Sequence, residues 1–169
     1  MSEIQVVDNF LSNDDIIKVI EHSRNFKWKF GKRTLTNEGY KFWVCVLYHD
    51  DLFKTYIFPK IEEYFKKKFT ILGIYANGQT YGQDGEYHID SPKDDDYTFL
   101  LYLGDITHRD VSFIDGYTLF KQGEKVTCIE PICNRCVLFK SNIEHKGMAP
   151  SRKSNVLRTI IAFKLREII

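Results

Sequence analysis

Three side chains in this sequence, His88, Asp90 and His145, have the types and spacing of a metal site. Two imidazoles and one carboxylate form the facial ligand set that holds ferrous iron and leaves open coordination positions. The i, i+2 spacing of His88 and Asp90 suits a strand, because alternate residues of a strand point to the same side. The pattern therefore predicts that these three residues are iron ligands and catalytic residues.

A His-x-Asp pair alone is a weak signal, because the sequence contains three of them, the other two beginning at His49 and His108. In a double-stranded β-helix, or jelly roll, four strands with their turns separate the pair from the second histidine and need ~35–50 residues. Counted to His145, the spacing is 55 residues from Asp90, 35 from the pair at His108 and 94 from the pair at His49. The spacing of 55 residues leaves room for a modest insertion. The sequence around His108 is typical of a surface loop, and the sequence around His49 is typical of a strand-to-helix junction.

Arg158 lies within an apolar run, residues 156–165, whose two alternating faces both carry apolar side chains. A buried arginine is costly unless it is paired, and a guanidinium binds a carboxylate through two parallel hydrogen bonds. A bound dicarboxylate would supply that partner. The alternatives are an edge position open to solvent and an internal ion pair. Arg152 competes for the same role, but the polar stretch around it is typical of a loop.

Length and composition predict a single folded domain over residues 1–169. An aromatic fraction of 15% suits a β-rich architecture, and a net charge of +1 gives no overall field that would favour nucleic acid as a partner. The sequence shows no signal peptide and no apolar run of membrane-spanning length. We therefore expect a cytoplasmic protein without membrane association.

Cys133 and Cys136 form a CxxC pair, which raises the alternative of structural zinc or redox chemistry. The sequence has no second CxxC, and Cys128 with a few histidines would have to complete a zinc site. The segment also has the pattern of a turn between two strands, which is the interpretation that we favour.

The order of the predicted elements indicates an α+β fold that is mainly β. Helices are predicted over residues 13–24, with Ser12 as the N-cap, and over residues 51–68, with a restart at Pro59. Strands are predicted over residues 69–76, 86–90, 97–103, 111–114, 117–120, 126–130, 136–140, 145–148 and 156–165. We expect a jelly-roll core over residues 69–169, supported by residues 1–68, which supply helices and, over the polar segment 29–39, a mobile lid.

Four blocks of this sequence, in order, resemble the iron(II)- and 2-oxoglutarate-dependent dioxygenases, specifically their prolyl 4-hydroxylase-like branch. The blocks are Tyr-Ala-Asn-Gly-Gln-Thr-Tyr at residues 75–81 with the pair at 88–90, the strand 97–103 with Gly-Tyr-Thr-Leu-Phe at 116–120, the turn and strand 131–139, and the segment 145–150. The resemblance covers about residues 72–165. The sequence departs from the family by extra residues at 82–85, by a turn at 133–134 that lacks the family's glycine, and by a longer gap between His145 and Arg158.

The resemblance implies a double-stranded β-helix that binds Fe(II) through His88, Asp90 and His145. It also implies that Arg158 binds the distal carboxylate of the cosubstrate 2-oxoglutarate, with a contact from Tyr75, which could equally be a core aromatic. O₂ is the second cosubstrate, and ascorbate is a further candidate cofactor. The implied reaction is hydroxylation of a C–H bond with formation of succinate and CO₂.

The first substrate implied is a prolyl residue in a peptide or protein. A free amino acid or another small molecule is the alternative substrate, and nucleic acid is the least favoured. The rival from a different class is a non-catalytic jelly-roll binding protein, in which the three polar residues have no chemical role. Succinate formation that depends on iron, 2-oxoglutarate and substrate would distinguish the enzyme from the binding protein.

Overall fold

The computed structural model describes residues 4–33, 41–104 and 115–168. The strands are β1 (Ile4–Val7), β2 (Lys29–Arg33), β3 (Lys41–Val46), β4 (Phe69–Gln79), β5 (Asp96–Leu103), β6 (Thr118–Gln122), β7 (Lys125–Ile129), β8 (Cys136–Lys140), β9 (Glu144–Gly147) and β10 (Arg158–Glu167). The α-helices are α1 (Asn13–Ser23) and α2 (Phe58–Phe65), and a π-helical segment (Leu52–Ile57) leads directly into α2.

The strands form two antiparallel sheets of a double-stranded β-helix. The larger sheet has the order β1-β8-β5-β10-β4-β3-β2, and the smaller has the order β7-β6-β9. β10 pairs along its length with β4 on one side and β5 on the other. The predicted fold class, a mainly β jelly roll with supporting helices, is confirmed.

The two predicted helices are present and pack on the outer face of the larger sheet. α1 begins where Ser12 caps it, because the Ser12 hydroxyl accepts a hydrogen bond of 3.2 Å from the backbone N–H of Asp15. The second helical stretch changes from π-helical to α-helical at Phe58, next to Pro59, as the restart at that proline predicted. The core beneath the helices includes Ile16, Val19, Phe53, Ile61, Phe99, Leu101, Ile161 and Phe163. In the described ranges, none of the helices has the length and apolar character needed to cross a membrane.

β10 has two buried faces because the helices cover one face of the larger sheet and the smaller sheet covers the other. Ile161 and Phe163 join the core beneath the helices, whereas Ile160 and Ala162 join a second core between the two sheets. The predicted alternation of this strand is therefore confirmed. The inward row begins with Arg158, so the guanidinium lies inside the barrel.

The first 68 residues contribute strands as well as helices, which the sequence interpretation underestimated. β1, β2 and β3 all belong to the larger sheet, and β1 and β2 form its two edges. The part of the predicted lid over 29–33 is strand β2, so the prediction was wrong there, because pairing with β3 holds it in the sheet. The rest of that lid, 34–39, and the predicted strand 111–114 lie outside the described residues.

The CxxC segment forms a turn that anchors the start of α1. Asn134 has a left-handed backbone with φ of 64°, and its buried side chain binds both backbone groups of Leu11, with distances of 2.9 and 2.8 Å. Cys136 is buried in the core, where burial raises the pKa of its thiol, and Cys128 is exposed on β7. Within the ranges described, the cysteines belong to no cluster that could hold a metal. These contacts support the turn interpretation.

Replacing Asn134 should therefore destabilise the fold. Asn134→Ala removes two hydrogen bonds, leaves the Leu11 groups unpaired and replaces a residue that tolerates the left-handed backbone with one that rarely adopts it, so we expect a loss of about 2–4 kcal/mol in the free energy of unfolding. Urea denaturation measures this loss. Asn134→Gly relieves the backbone conformation and should cost less than the alanine variant. Equal losses in the two variants would contradict the backbone contribution.

Candidate active site

The side chains of His88, Asp90 and His145 meet at one point inside the barrel. Their potential ligand atoms all lie within 4.8 Å of one another. The backbones of the two histidines exchange hydrogen bonds of 3.0 and 2.9 Å, and the Asp90 N–H donates to the carbonyl of Ser141 at 2.9 Å. The segment around His88 thus runs beside β9, which brings together residues that are far apart in sequence.

The geometry at Asp90 agrees with the i, i+2 reasoning, although the predicted strand over 86–90 is wrong. Only His88 forms a strand-like bridge there, to His145. Ile89 turns outward and is 42% exposed, whereas the Asp90 side chain is only 9% exposed. A single extended bridge is therefore enough to direct both polar side chains inward.

Both imidazoles are held in the tautomer that a metal ligand needs. The Nδ1 atom of His88 lies 2.8 Å from the carbonyl oxygen of Glu86, and the Nδ1 atom of His145 lies 2.9 Å from that of Ile143. Because a carbonyl can only accept, each Nδ1 carries the proton and each Nε2 keeps a free lone pair. The Nε2 atoms lie 3.5 and 3.4 Å from the two carboxylate oxygens of Asp90.

Burial and neighbouring charges set suitable protonation states. His145 packs between the rings of Phe120 and Phe139, and burial lowers the pKa of its imidazole to about 4. Burial would raise the pKa of the Asp90 carboxyl, but the Lys164 ammonium and the imidazole of His88 more than offset this and hold that pKa well below its usual range. A neutral imidazole and an ionised carboxylate are the forms that bind metals.

Arg158 is 2% exposed, and its hydrogen bonds go to neutral oxygen atoms. Its Nε donates to the carbonyl of Gly116, Nη1 to the Gln79 side chain at 2.8 Å, and Nη2 to the Thr118 hydroxyl at 3.0 Å. No carboxylate of residues 4–33, 41–104 or 115–168 contacts the guanidinium. The described residues therefore contradict both alternative explanations for this arginine, a solvent-exposed edge position and an internal ion pair.

Several residues around Arg158 were missed by the sequence interpretation. The Tyr102 hydroxyl donates to Thr118 at 2.7 Å, and the Tyr102 ring centre lies 5.8 Å from the guanidinium carbon. Gly147 leaves room for this group, because a Cβ there would lie 3.1 Å from the Gln79 side-chain oxygen and 3.5 Å from Nη1 of Arg158. The sequence signal for Tyr102 was its place on the inward-facing row of β5.

Lys164 is a further site residue that the sequence interpretation missed. Its ammonium contacts Oδ2 of Asp90 and lies 3.3 Å from the Thr98 hydroxyl, which itself donates to the same carboxylate oxygen at 2.6 Å. The available signal was its position, since it shares the inward row of β10 with Arg158 at an even spacing.

A cavity of about 310 Å³ joins these groups. It is lined by Phe42, Tyr75, Asn77, Gln79, Gly85, His88, Ile89, Asp90, Leu100, Thr118, His145, Gly147, Arg158, Ile160, Ala162 and Lys164. The side-chain oxygen of Asn77 is buried there without a hydrogen-bond partner among the described residues. The volume, the nitrogen and carboxylate donors, the buried guanidinium and this polar atom fit a metal ion and a small dicarboxylate.

The competing candidates do not line this cavity. His49 follows β3 and packs against the Tyr48 ring, with centroids 5.1 Å apart. Arg152 is exposed in the turn before β10, as its loop-like sequence predicted. His108 lies outside the described residues.

The architecture of this chain is similar to that of solved oxygenases. No protein-family model matches the sequence, and no curated protein matches it. A solved prolyl hydroxylase from Trichoplax adhaerens, in complex with a peptide from the oxygen degradation domain of hypoxia inducible factor, has 17% identity and a TM-score of 0.75, and the match covers 99% of this chain and 84% of that one. An oxidoreductase of the 2OG-Fe(II) oxygenase family from Burkholderia pseudomallei has 10% identity and a TM-score of 0.75, over 97% and 85% of the two chains. This chain has the 2OG-Fe(II) oxygenase fold.

The same oxygenase fold occurs in proteins whose bound molecules differ widely. HygX from Streptomyces hygroscopicus, solved with nickel, 2-oxoglutarate and hygromycin B bound, has 10% identity and a TM-score of 0.69, over 97% of this chain and 82% of that one. At these identities the similarity defines the fold, and the chemistry has to be argued from the side chains of this chain.

The metal-free protein should lose stability as the pH falls from about 6.5 to about 4. The pKa of His145 is lowered to about 4 in the folded protein from an ordinary value of 6.5. Over this range the unfolded chain binds a proton that the folded chain does not, so acid favours unfolding. Urea denaturation in the presence of a chelator, repeated between pH 7 and pH 4.5, measures the slope. His145→Gln should flatten this dependence, and an unchanged slope in that variant would contradict the assignment.

Proposed function

We propose that this protein is an Fe(II)- and 2-oxoglutarate-dependent dioxygenase that hydroxylates a substrate C–H bond. The observation that supports it most directly is the meeting of His88, Asp90 and His145 in a cavity that also contains the buried cation of Arg158. A metal triad alone would suit many functions. A guanidinium with neutral partners in the same cavity adds a requirement for an anionic ligand.

In this proposal the three donors hold the iron. The Nε2 atoms of His88 and His145 and the Asp90 carboxylate would bind the metal, a ligand set that leaves coordination positions for other ligands. With iron bound, 2-oxoglutarate and O₂ supply the oxidising chemistry, which yields succinate, CO₂ and a hydroxylated substrate. The backbone carbonyls that accept from Nδ1 keep both imidazoles oriented.

Arg158 is the proposed partner of the distal carboxylate of 2-oxoglutarate. A guanidinium has five N–H groups, and the three bonds to Gly116, Gln79 and Thr118 leave one N–H on each terminal nitrogen. Two parallel N–H groups are the arrangement that binds a carboxylate through both oxygens. Tyr75, opposite Ala162 in the sheet register, lines the same cavity and is proposed as a second contact to the cosubstrate.

The substrate that we propose first is a prolyl residue in a peptide or protein. Support comes from the resemblance in sequence and from the similarity to a prolyl hydroxylase solved with a peptide. A small molecule is the second candidate, supported by the similarity to HygX with hygromycin B bound. A cytoplasmic location remains a prediction from the sequence.

Binding measurements can separate the two halves of the site. His88→Ala removes a metal ligand and should weaken Mn(II) binding, measured by calorimetry, by at least about 100-fold. Arg158→Met should leave metal binding unchanged and weaken binding of the unreactive analogue N-oxalylglycine about 100-fold, because two charge-assisted hydrogen bonds are lost. The matched controls are His49→Ala and Arg152→Met, which should retain both affinities. A loss in either control equal to that in its partner would contradict the assignment.

Turnover tests the reaction itself. The protein with Fe(II), 2-oxoglutarate and a peptide library should form succinate and a product heavier by one oxygen atom, detected by mass spectrometry. Omitting Fe(II), or using His88→Ala, should abolish both products. Undiminished succinate formation without the metal would contradict the proposal, and retained peptide binding with no succinate under any condition would favour the binding-protein alternative.

A further inference from the structure

Lys164 places a second cation inside the barrel. It lies on the central strand β10, in the inward row that contains Arg158, Ile160 and Ala162, and it lines the cavity. Its side chain is only 20% exposed. A lysine is rarely buried unless it is paired, so its partner indicates what the site is built to hold.

The partner of Lys164 in this structure is the carboxylate of Asp90. The ammonium contacts Oδ2 of Asp90, and it lies 5.7 Å from the centre of the Tyr75 ring. Asp90 is the carboxylate proposed to bind the metal. A divalent ion bound there would share the negative charge on which Lys164 depends.

The formal charges of the cavity-lining residues that the structure describes leave one positive charge without a counterpart. Among the described lining residues, Asp90 contributes one negative charge, and Arg158 and Lys164 contribute one positive charge each. Imidazoles bind a metal in their neutral form, so the sum with metal bound is +1 before the ion and the cosubstrate are counted. Fe(II) and the dianion of 2-oxoglutarate cancel each other. With both bound, the described lining residues therefore keep one excess positive charge, and Lys164 is the cation beside Asp90.

Arg158 and Lys164 lie at different ends of the cavity. They are six residues apart on one strand, which corresponds to about 20 Å between their Cα atoms at ~3.3 Å per residue. Arg158 lies among Gln79, Thr118 and Gly116, whereas Lys164 lies beside the metal-binding carboxylate. A cosubstrate whose distal carboxylate binds Arg158 therefore leaves the Lys164 ammonium available to bind the anionic group of another ligand.

Building on the dioxygenase function proposed above, we infer that the substrate carries a carboxylate group and that Lys164 binds it close to the metal. This places the substrate among free amino acids, peptides hydroxylated near their C-terminal carboxylate, or other small acids. An internal prolyl residue in an uncharged peptide lacks the group that this site recognises.

Matched acids and amides test this inference. The protein is loaded with Mn(II) and N-oxalylglycine, and free amino acids, N-acetyl amino acids and the carboxamide of each are titrated while NMR detects relaxation of their protons by the nearby Mn(II). We expect at least one acid to bind about tenfold more tightly than its amide. Preference for a free or an N-acetylated acid then identifies the source of the carboxylate.

Variants of Lys164 assign the preference to this residue. Lys164→Met keeps a long unbranched side chain without the charge and should reduce the preference to less than about twofold, whereas Lys164→Arg should retain it. Lys121→Met, an exposed lysine paired with Glu144, is the control and should match the wild type. Should Lys164→Met fail to fold, judged by melting temperature and Mn(II) binding, Lys164→Gln replaces it.

The outcomes are distinct. Three results would each overturn the inference: no acid preference for any pair, a preference that survives in the charge-free variant, or a loss of N-oxalylglycine binding in that variant that matches the loss of the acid. The last result would assign Lys164 to the cosubstrate. Failure of the wild-type protein to bind Mn(II) and N-oxalylglycine would instead contradict the dioxygenase proposal itself.

Discussion

Two backbone hydrogen bonds between His88 and His145 hold the site together. They join a short extended segment before β5 to β9, so that residues 57 positions apart in the sequence present their imidazoles to the same point. A slip of one residue in this pairing would turn one ring out of the barrel, because side chains alternate along an extended backbone. The bond from Asp90 to Ser141 secures the same register at the third donor.

The interior of the barrel is unusual in the charge that it contains. Asp90, Arg158 and Lys164 are all largely buried, and such charges are expensive to remove from water. Hydrogen bonds to neutral groups offset part of this cost. Thr98 donates one to Asp90, and Arg158 donates to Gln79, Thr118 and the carbonyl of Gly116. Because these neutral groups cannot supply the missing opposite charge, this part of the interior is suited to binding ions rather than to serving as hydrophobic core.

Much of the fold could be predicted because periodicity and turn residues are local signals. Ser12 and Pro59 marked the helices correctly, and the alternation in β10 correctly predicted that Arg158, Ile160 and Ala162 share one covered face. The edge strands β1 and β2 were missed because they are short and carry polar side chains such as Gln5 and Lys29, and pairing with β8 and β3 determines their conformation. Such pairing is a long-range interaction that a short window of sequence does not contain.

The site was predictable to the extent that its residues follow a motif. His88, Asp90 and His145 stand out by type and spacing, and the structure brings them together. Lys164 stands out only once its strand neighbours are known, since lysines are mostly exposed. Its environment depends on Asp90 and Thr98, which approach it from other segments of the barrel.

The connection from β9 to β10, residues 148–157, and strand β10 itself differ in their tolerance for insertions. Added residues in the exposed turn of that connection, around Arg152 and Lys153, leave the inward position of Arg158 unchanged, because pairing with β4 and β5 sets the register of β10. A single residue gained or lost within β10, between Arg158 and Lys164, would turn one of the two cations toward the helix-covered face. Related chains should therefore be aligned by odd or even position along this strand rather than by distance from the second histidine.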